Sequence, residues 1–142
     1  MFNTYVINTN QSVHRWELLK DRLEQQSITP IRFEAITPST CNQYTHKVST
    51  FASMFCPTIA KCIGISHLVL LENIYYNDPY EYALVLEDDV VPASDNIKHK
   101  IQTLSNTTDM WDMIKLYWFF YNKKEDINSH ALQKINFLQL SA

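Results

Sequence analysis

The chain has 142 residues, 46% of them hydrophobic and 19% charged, a composition typical of one globular domain with its own core. Its net charge is −3 and it has no basic block, so binding to nucleic acid through clustered Lys and Arg is not expected. No apolar stretch approaches the ~20 residues of a transmembrane segment, and the N-terminus lacks the features of a signal peptide. We therefore expect one cytoplasmic domain over residues 1–142.

Strand and helix patterns alternate in the first part of the chain. Residues 2–7 have the Phe, Tyr, Val and Ile content of a strand. Ser12 is expected to cap a helix that runs to about Gln26. Residues 28–36 predict a second strand that begins near Pro30, where a missing N–H group is tolerated. The helix should pack one apolar face against these strands, formed by Val13, Trp16, Leu19 and Leu23.

Residues 37–57 are irregular and fit either a binding loop or lid or a plain surface excursion. Residues 59–77 give the strongest helical pattern, and residues 82–86 are a near-continuous apolar run, typical of a central strand in a parallel sheet. A further helix should begin at Ser94 or Asp95, followed by a strand over 112–118 and a last helix within 129–140. The side of the long helix that we expect to be apolar contains Ile63, His67, Leu70, Leu71 and Ile74.

This alternation predicts an α/β fold, a three-layer sandwich with a mostly parallel sheet. The only glycine is Gly64, which excludes the Gly-rich loops that cradle phosphates in many nucleotide-binding proteins. If the protein binds a nucleotide, a metal ion is the obvious alternative for holding the phosphates. The three cysteines match no zinc pattern and are expected to be reduced thiols.

Three consecutive acids, Glu87, Asp88 and Asp89, follow the apolar run of residues 82–86. In folds of this class ligands bind beyond the carboxyl ends of the strands. On an extended backbone Glu87 and Asp89 would point one way and Asp88 the other. Two carboxylates on one side suit Mg²⁺ or Mn²⁺. The alternative is that the acids cap the following turn.

Three segments in order, YVINTNQ…RFEAI, CIGISHLVLLENI and YALVLEDDVVP, followed by WDMIKL, resemble glycosyltransferase family 25 over about residues 5–118. The resemblance implies a GT-A-like, Rossmann-type fold and transfer of a hexose, typically galactose, from a UDP-sugar to a glycan or protein-linked acceptor. It also implies a Mn²⁺ or Mg²⁺ ion held by Glu87, Asp88 and Asp89. Asn8, Arg15 and Ser66 match positions expected to contact the donor nucleotide.

Departures from the family pattern concern the donor turn and the length. Ala60 and Lys61 stand where the family has Glu and Gly, and Thr9 replaces a leucine. Family members continue past this length, so the fold is expected to be incomplete at the C-terminus. Three interpretations are then open: a fragment, a minimal enzyme whose acceptor site a partner protein completes, or an inactive relative. The candidates for catalysis are Asp112, as the general base that such a transfer needs, and His67. For Arg15, His67 and Asp112, purely structural roles are the alternative.

Two other functions stay open beside the enzyme. One is an inactive remnant or interaction module that binds a sugar nucleotide without turnover. The other is a receiver-like phosphoacceptor domain, which also binds Mg²⁺ through neighbouring aspartates. The acids follow the third predicted strand rather than the first, which disfavours this second alternative.

Overall fold

A three-stranded parallel sheet forms the centre of the fold. Its strands are β1 (Asn3–Asn8), β2 (Pro30–Glu34) and β3 (Ala83–Glu87), in the order β2-β1-β3. Asn8 of β1 pairs with Glu34 of β2, and Ile7 pairs with Glu87 of β3. The carboxyl ends of all three strands therefore lie at the same edge of the sheet.

The coordinates are a computed structural model that describes residues 1–92, 96–107, 112–114 and 134–135. They divide into two units, Met1–Lys100 and Ile101–Ala142. The predicted helix caps Ser94 and Asp95 lie outside the described residues. So do most of the predicted strand over 112–118 and most of the predicted last helix.

Four α-helices are described. They are α1 (Val13–Glu24), α2 (Thr50–Phe55), α3 (Thr58–Asn77) and α4 (Ile97–Thr107). Short 3₁₀ helices precede α1 at Asn10–Ser12 and α2 at Cys41–Lys47. The irregular segment over 37–57 thus contains two short helices. No helix in the described parts of the chain is long and apolar enough to cross a membrane.

Helices cover both faces of the sheet. Val6 packs with Leu19 and Leu23 of α1, whereas its neighbours Tyr5 and Ile7 pack with Leu70 of α3. Because successive side chains of a strand point to opposite faces, α1 and α3 lie on opposite sides. The expected α/β architecture with a parallel sheet between helical layers is confirmed.

A smaller cluster fixes the segment that follows β2. Cys41, Cys62 and Ile65 are buried together, and Lys47 forms an ion pair with Glu72 of α3 at 2.6 Å. All three cysteines are free thiols, as expected.

The central described strand is β1, not β3 as the apolar run had suggested. β1 has five buried residues in succession, whereas β3 has only Leu84 buried. An apolar run favours burial of a strand but does not show which strand has a neighbour on each edge, since neighbours are set by contacts between distant segments.

The buried side of α3 also differs from the prediction. It consists of Cys62, Ile65, Ser66 and Leu70, while Ile63 and Leu71 are 52% and 43% exposed. Because α3 is apolar on most of its circumference, its periodicity could not select the face that meets the sheet. Val13, predicted to lie on the apolar face of α1, is likewise exposed.

Two further local predictions changed. Ser12 occupies the N-cap position of α1, but its side chain makes no capping hydrogen bond. In the second unit, β4 (Met113–Ile114) pairs antiparallel with β5 (Lys134–Ile135). The helix predicted within 129–140 is therefore wrong at those two residues, where pairing between distant segments outweighs a weak helical pattern.

Candidate functional site

The order of the strands marks one place on the sheet edge. From β1 the chain passes through α1 to β2 on one side and returns through α3 to β3 on the other. The strand order thus reverses between β1 and β3, where open α/β sheets form a crevice for ligands. Asn8 ends β1 at this point, and Asp88 follows β3.

Asn8 is a buried amide, 1% exposed, whose side chain bonds on both ends. Its Nδ2 donates to Oδ2 of Asp88 at 2.6 Å and to the backbone oxygen of Ser12 at 3.0 Å. Its Oδ1 accepts from Nε of Arg32 at 2.9 Å. The side chain of Asn8, which we predicted to contact a nucleotide, therefore connects β2, the start of α1 and the turn after β3 by hydrogen bonds.

Asp88 is held from two directions. Its Oδ2 accepts from Asn8, and its Oδ1 lies 3.2 Å from Nη2 of Arg15. The same Nη2 donates to the Oγ of Ser12 at 3.0 Å. The side chain of Asp88 is 9% exposed and that of Arg15 is 42% exposed, so the arginine is partly open to solvent whereas the carboxylate is nearly buried.

Glu87 lies on the opposite face of the sheet from Asp88. Its Oε1 is 3.2 Å from Nε2 of His67 on α3, with the two side chains 52% and 38% exposed. This arrangement follows from strand alternation, because Glu87 continues the side of β3 that carries Val85 toward α3. The sequence prediction that Glu87 and Asp88 diverge agrees with this placement.

Asp89 requires a correction. The strand ends at Glu87, and Asp88 and Asp89 lie in a turn in which the N–H of Val90 donates to the oxygen of Glu87 at 3.4 Å. The extended geometry from which we placed Asp89 beside Glu87 therefore does not reach it. Asp89 is exposed at the end of the sheet.

The carboxylates of Glu87, Asp88 and Asp89 are only partly arranged as ligands for a cation such as Mg²⁺. Among the described residues, no group of three or more His, Cys, Asp and Glu side chains is arranged to hold a metal ion. Both carboxylate oxygens of Asp88 contact other side chains, those of Asn8 and Arg15. Glu87 and Asp89 are exposed. Mg²⁺ is commonly held by one or two carboxylates together with phosphate oxygens, and Glu87 and Asp89 are the exposed acids of the triplet left for that role.

The remaining predicted residues lie elsewhere. Ser66 is 2% exposed, accepts from the N–H of Ile36 at 2.8 Å and donates to the oxygen of Cys62 at 2.8 Å. These bonds join α3 to the segment after β2, and a contact of Ser66 with a donor stays a prediction. Asp112 is exposed just before β4 in the unit Ile101–Ala142, and its role as base stays a prediction.

Sequence reasoning missed Arg32. This residue pairs with Val6 across β1 and β2, donates to Asn8, and donates through Nη2 to Oδ1 of Asn10 at 2.8 Å. Asn10 in turn donates to Glu34 at 2.5 Å. The available signal was an arginine between the apolar residues Ile31 and Phe33 in the predicted strand.

One comparison places the chain in a known family. The family model described as glycosyltransferase family 25 (LPS biosynthesis protein) matches residues 1–142. A search of curated proteins finds no match.

Proposed function

The chain belongs to glycosyltransferase family 25, and from this we propose that it transfers a hexose, galactose by resemblance, from a UDP-sugar to a glycan or protein-linked acceptor. The observation that supports a donor site most directly is the 2.6 Å contact between Asn8 and Asp88. It joins the ends of the two strands between which the strand order reverses. The diphosphate of the donor would lie beyond this pair.

Charge at this edge supports an anionic ligand bound together with a cation. Arg15 is partly exposed beside Asp88 and presents a planar guanidinium suited to a phosphate group. Glu87 and Asp89 would hold Mn²⁺ or Mg²⁺ together with phosphate oxygens of the donor, while Asp88 stays bound to Asn8 and Arg15. When bound, such an ion stabilises negative charge on the departing diphosphate.

The transfer breaks the bond between the anomeric carbon and the diphosphate oxygen and forms a bond to the acceptor oxygen. UDP leaves with the electron pair of the broken bond, and the proton of the acceptor hydroxyl passes to a base. We assign this base to His67 or Asp112. His67 has a carboxylate partner, Glu87, that can orient its ring, which favours it among the residues of the first unit.

We also propose the type of acceptor and the cellular compartment of the enzyme. A family described by LPS biosynthesis fits a glycan acceptor, and a partner protein would complete the acceptor site. Three free thiols fit a reducing compartment such as the cytoplasm.

Calorimetric titration tests the donor site. UDP is titrated into the wild type with and without Mn²⁺, and into Asp89→Ala and the matched control Asp21→Ala, which removes an exposed acid from α1. We expect Mn²⁺-dependent binding in the wild type and the control and its loss in Asp89→Ala. Hydrolysis of a panel of UDP-sugars then identifies the donor.

Two results would change the proposal. A folded wild type that does not bind UDP with Mn²⁺ present contradicts the donor site. Binding of UDP and UDP-sugars without hydrolysis or transfer favours the second candidate, a sugar-nucleotide-binding module without turnover.

A further inference from the structure

We propose that Arg32 is a positioning residue, which fixes the amide of Asn8 and through it the carboxylate of Asp88 at the donor site. This inference rests on the proposed function, because it assigns a role at the same site. Arg32 lies on β2, and Asp88 follows β3, so neither strand touches the other in the sheet. Asn8 at the end of β1 is the connection between them.

The direction of the Asn8 amide follows from its neighbours. A guanidinium can only donate hydrogen bonds, so Arg32 requires the oxygen Oδ1 on its side. The backbone oxygen of Ser12 and an ionised Asp88 can only accept, so they require the nitrogen Nδ2 on theirs. All three partners require the same orientation of the amide, with Nδ2 donating twice and Oδ1 accepting from Arg32.

Loss of the guanidinium would remove the constraint from one end. Asn8 is only 1% exposed, so its side-chain oxygen would then be buried without the guanidinium as a partner, which is unfavourable. Rotation of the amide would relieve that cost only by turning Oδ1 toward the carboxylate of Asp88. Either response loosens the bond that holds Asp88 between Asn8 and Arg15.

Lysine cannot replace the arginine fully. Arg32 uses Nε for Asn8 and Nη2 for Asn10, and Nη2 also lies 3.5 Å from the backbone oxygen of Thr9. A single ammonium group has no fixed fork of donors with this geometry. We therefore expect Arg32→Lys to keep the charge and the fold but to weaken the hydrogen bond to Oδ1 of Asn8. Arg32→Met should remove that hydrogen bond.

The experiment follows the Asn8 side-chain amide by NMR in the ¹⁵N-labelled full chain, in wild type, Arg32→Lys and Arg32→Met. The control is Arg22→Met, which removes an exposed arginine near the end of α1. We expect the Asn8 amide protons to exchange with water about tenfold faster in Arg32→Met, as loss of a charge-assisted hydrogen bond implies, and to be unchanged in the control. The same variants are titrated with UDP and Mn²⁺, where residues that orient ligand-binding groups change affinity by about 10–100-fold.

The outcomes separate the two proposals. Faster exchange together with weaker UDP binding supports the role of Arg32. Unchanged exchange, or changed exchange with unchanged UDP binding, overturns it while leaving the donor site intact. A wild type that binds no UDP instead overturns the proposed function, and the donor-site role of Arg32 with it. If Arg32→Met does not fold, the same comparison is made with Arg32→Lys, for which we expect a smaller effect in the same direction.

Discussion

Nδ2 of Asn8 and Oδ2 of Asp88 lie 2.6 Å apart although the two residues are 80 positions apart in the chain. The bond connects the end of β1 to the turn after β3. A bond to a carboxylate is stronger than one between neutral groups, and here the amide is almost completely buried. The contact therefore stabilises the fold and holds the carboxyl end of β1 to the turn after β3.

Asn8→Ala should destabilise the protein by about 2–3 kcal/mol. The substitution removes bonds to Asp88 and Arg32 and leaves both charged groups short of a partner, a loss typical of hydrogen bonds to charges. The free energy of unfolding in urea measures it. Asn42→Ala, at an exposed position of the 3₁₀ helix after β2, is the control, and equal losses in both variants would contradict the role given to Asn8.

Asp88 and Asp89 should differ in stability although both are acids of one motif. Asp88→Asn weakens contacts with Asn8 and Arg15 and should cost about 1.5–3 kcal/mol. Asp89→Asn alters an exposed side chain and should change stability by less than about 0.5 kcal/mol. Urea unfolding of the two variants compares them, and similar stabilities would show that Asp88 is not held as described.

Leu70→Ala should be among the most destabilising substitutions in α3. Leu70 is completely buried against Tyr5 and Ile7 of β1, and such a truncation costs about 2–5 kcal/mol. Leu68→Ala removes the same atoms from a side chain that is 39% exposed and should cost clearly less. Thermal unfolding of the two variants compares them. A larger loss of stability in Leu68→Ala than in Leu70→Ala would contradict the packing of the Leu70 side of α3 against the sheet.

Tyr5 should make stability depend on pH in the alkaline range. Burial, followed by its hydrogen bond to Asp78 and the charge of that carboxylate, raises the pKa of Tyr5 above its ordinary value of 10.0. The folded state therefore keeps the proton that the unfolded state loses, so stability is fully present below about pH 10 and falls as pH rises toward the folded pKa.

Tyr5→Phe should lack this alkaline dependence. Urea unfolding at several pH values between 8 and 11 gives the difference in the free energy of unfolding between wild type and variant. The contributions of the other tyrosines cancel in this difference. We expect the advantage of the wild type to shrink above pH 10. An advantage that stays constant or grows over that range would contradict the raised pKa.

The cysteines should react with iodoacetamide in a fixed order. Cys56 is partly exposed, whereas Cys41 and Cys62 are buried. Burial, and then the contact with Cys41, also raises the pKa of Cys62 and so lowers its thiolate fraction. Mass spectrometry of the native protein should show modification of Cys56 first, with Cys41 and Cys62 modified only when denaturant is added. Early modification of Cys62 would contradict its burial.

The alternation of elements and the position of the acids were available from the sequence. Apolar periodicity located α1, α3 and the three parallel strands to within a few residues, because each must bury one side in a core. The end of β3 at Glu87 was visible to within one residue, because the apolar run ends at Leu86. The three motif segments sufficed to identify the family that the whole-chain match shows.

Contacts between distant residues could not be obtained in this way. Strand alternation predicted that Glu87 and Asp88 diverge, but no pattern indicated their partners, His67 and Asn8, or that Arg32 reaches Asn8. The apolar pattern of α3 surrounds most of the helix, so only packing decided that Leu70 is buried and Ile63 exposed.

Sequence alone therefore determined the two long helices α1 and α3, the three parallel strands and the approximate positions of the strand ends, since these depend on local periodicity and chain order. The tertiary structure decided which strand is central, which acid is held and which is exposed, and which arginine orients the buried amide. These features depend on the register of β1 with β2 and β3, which brings together side chains that no local pattern connects.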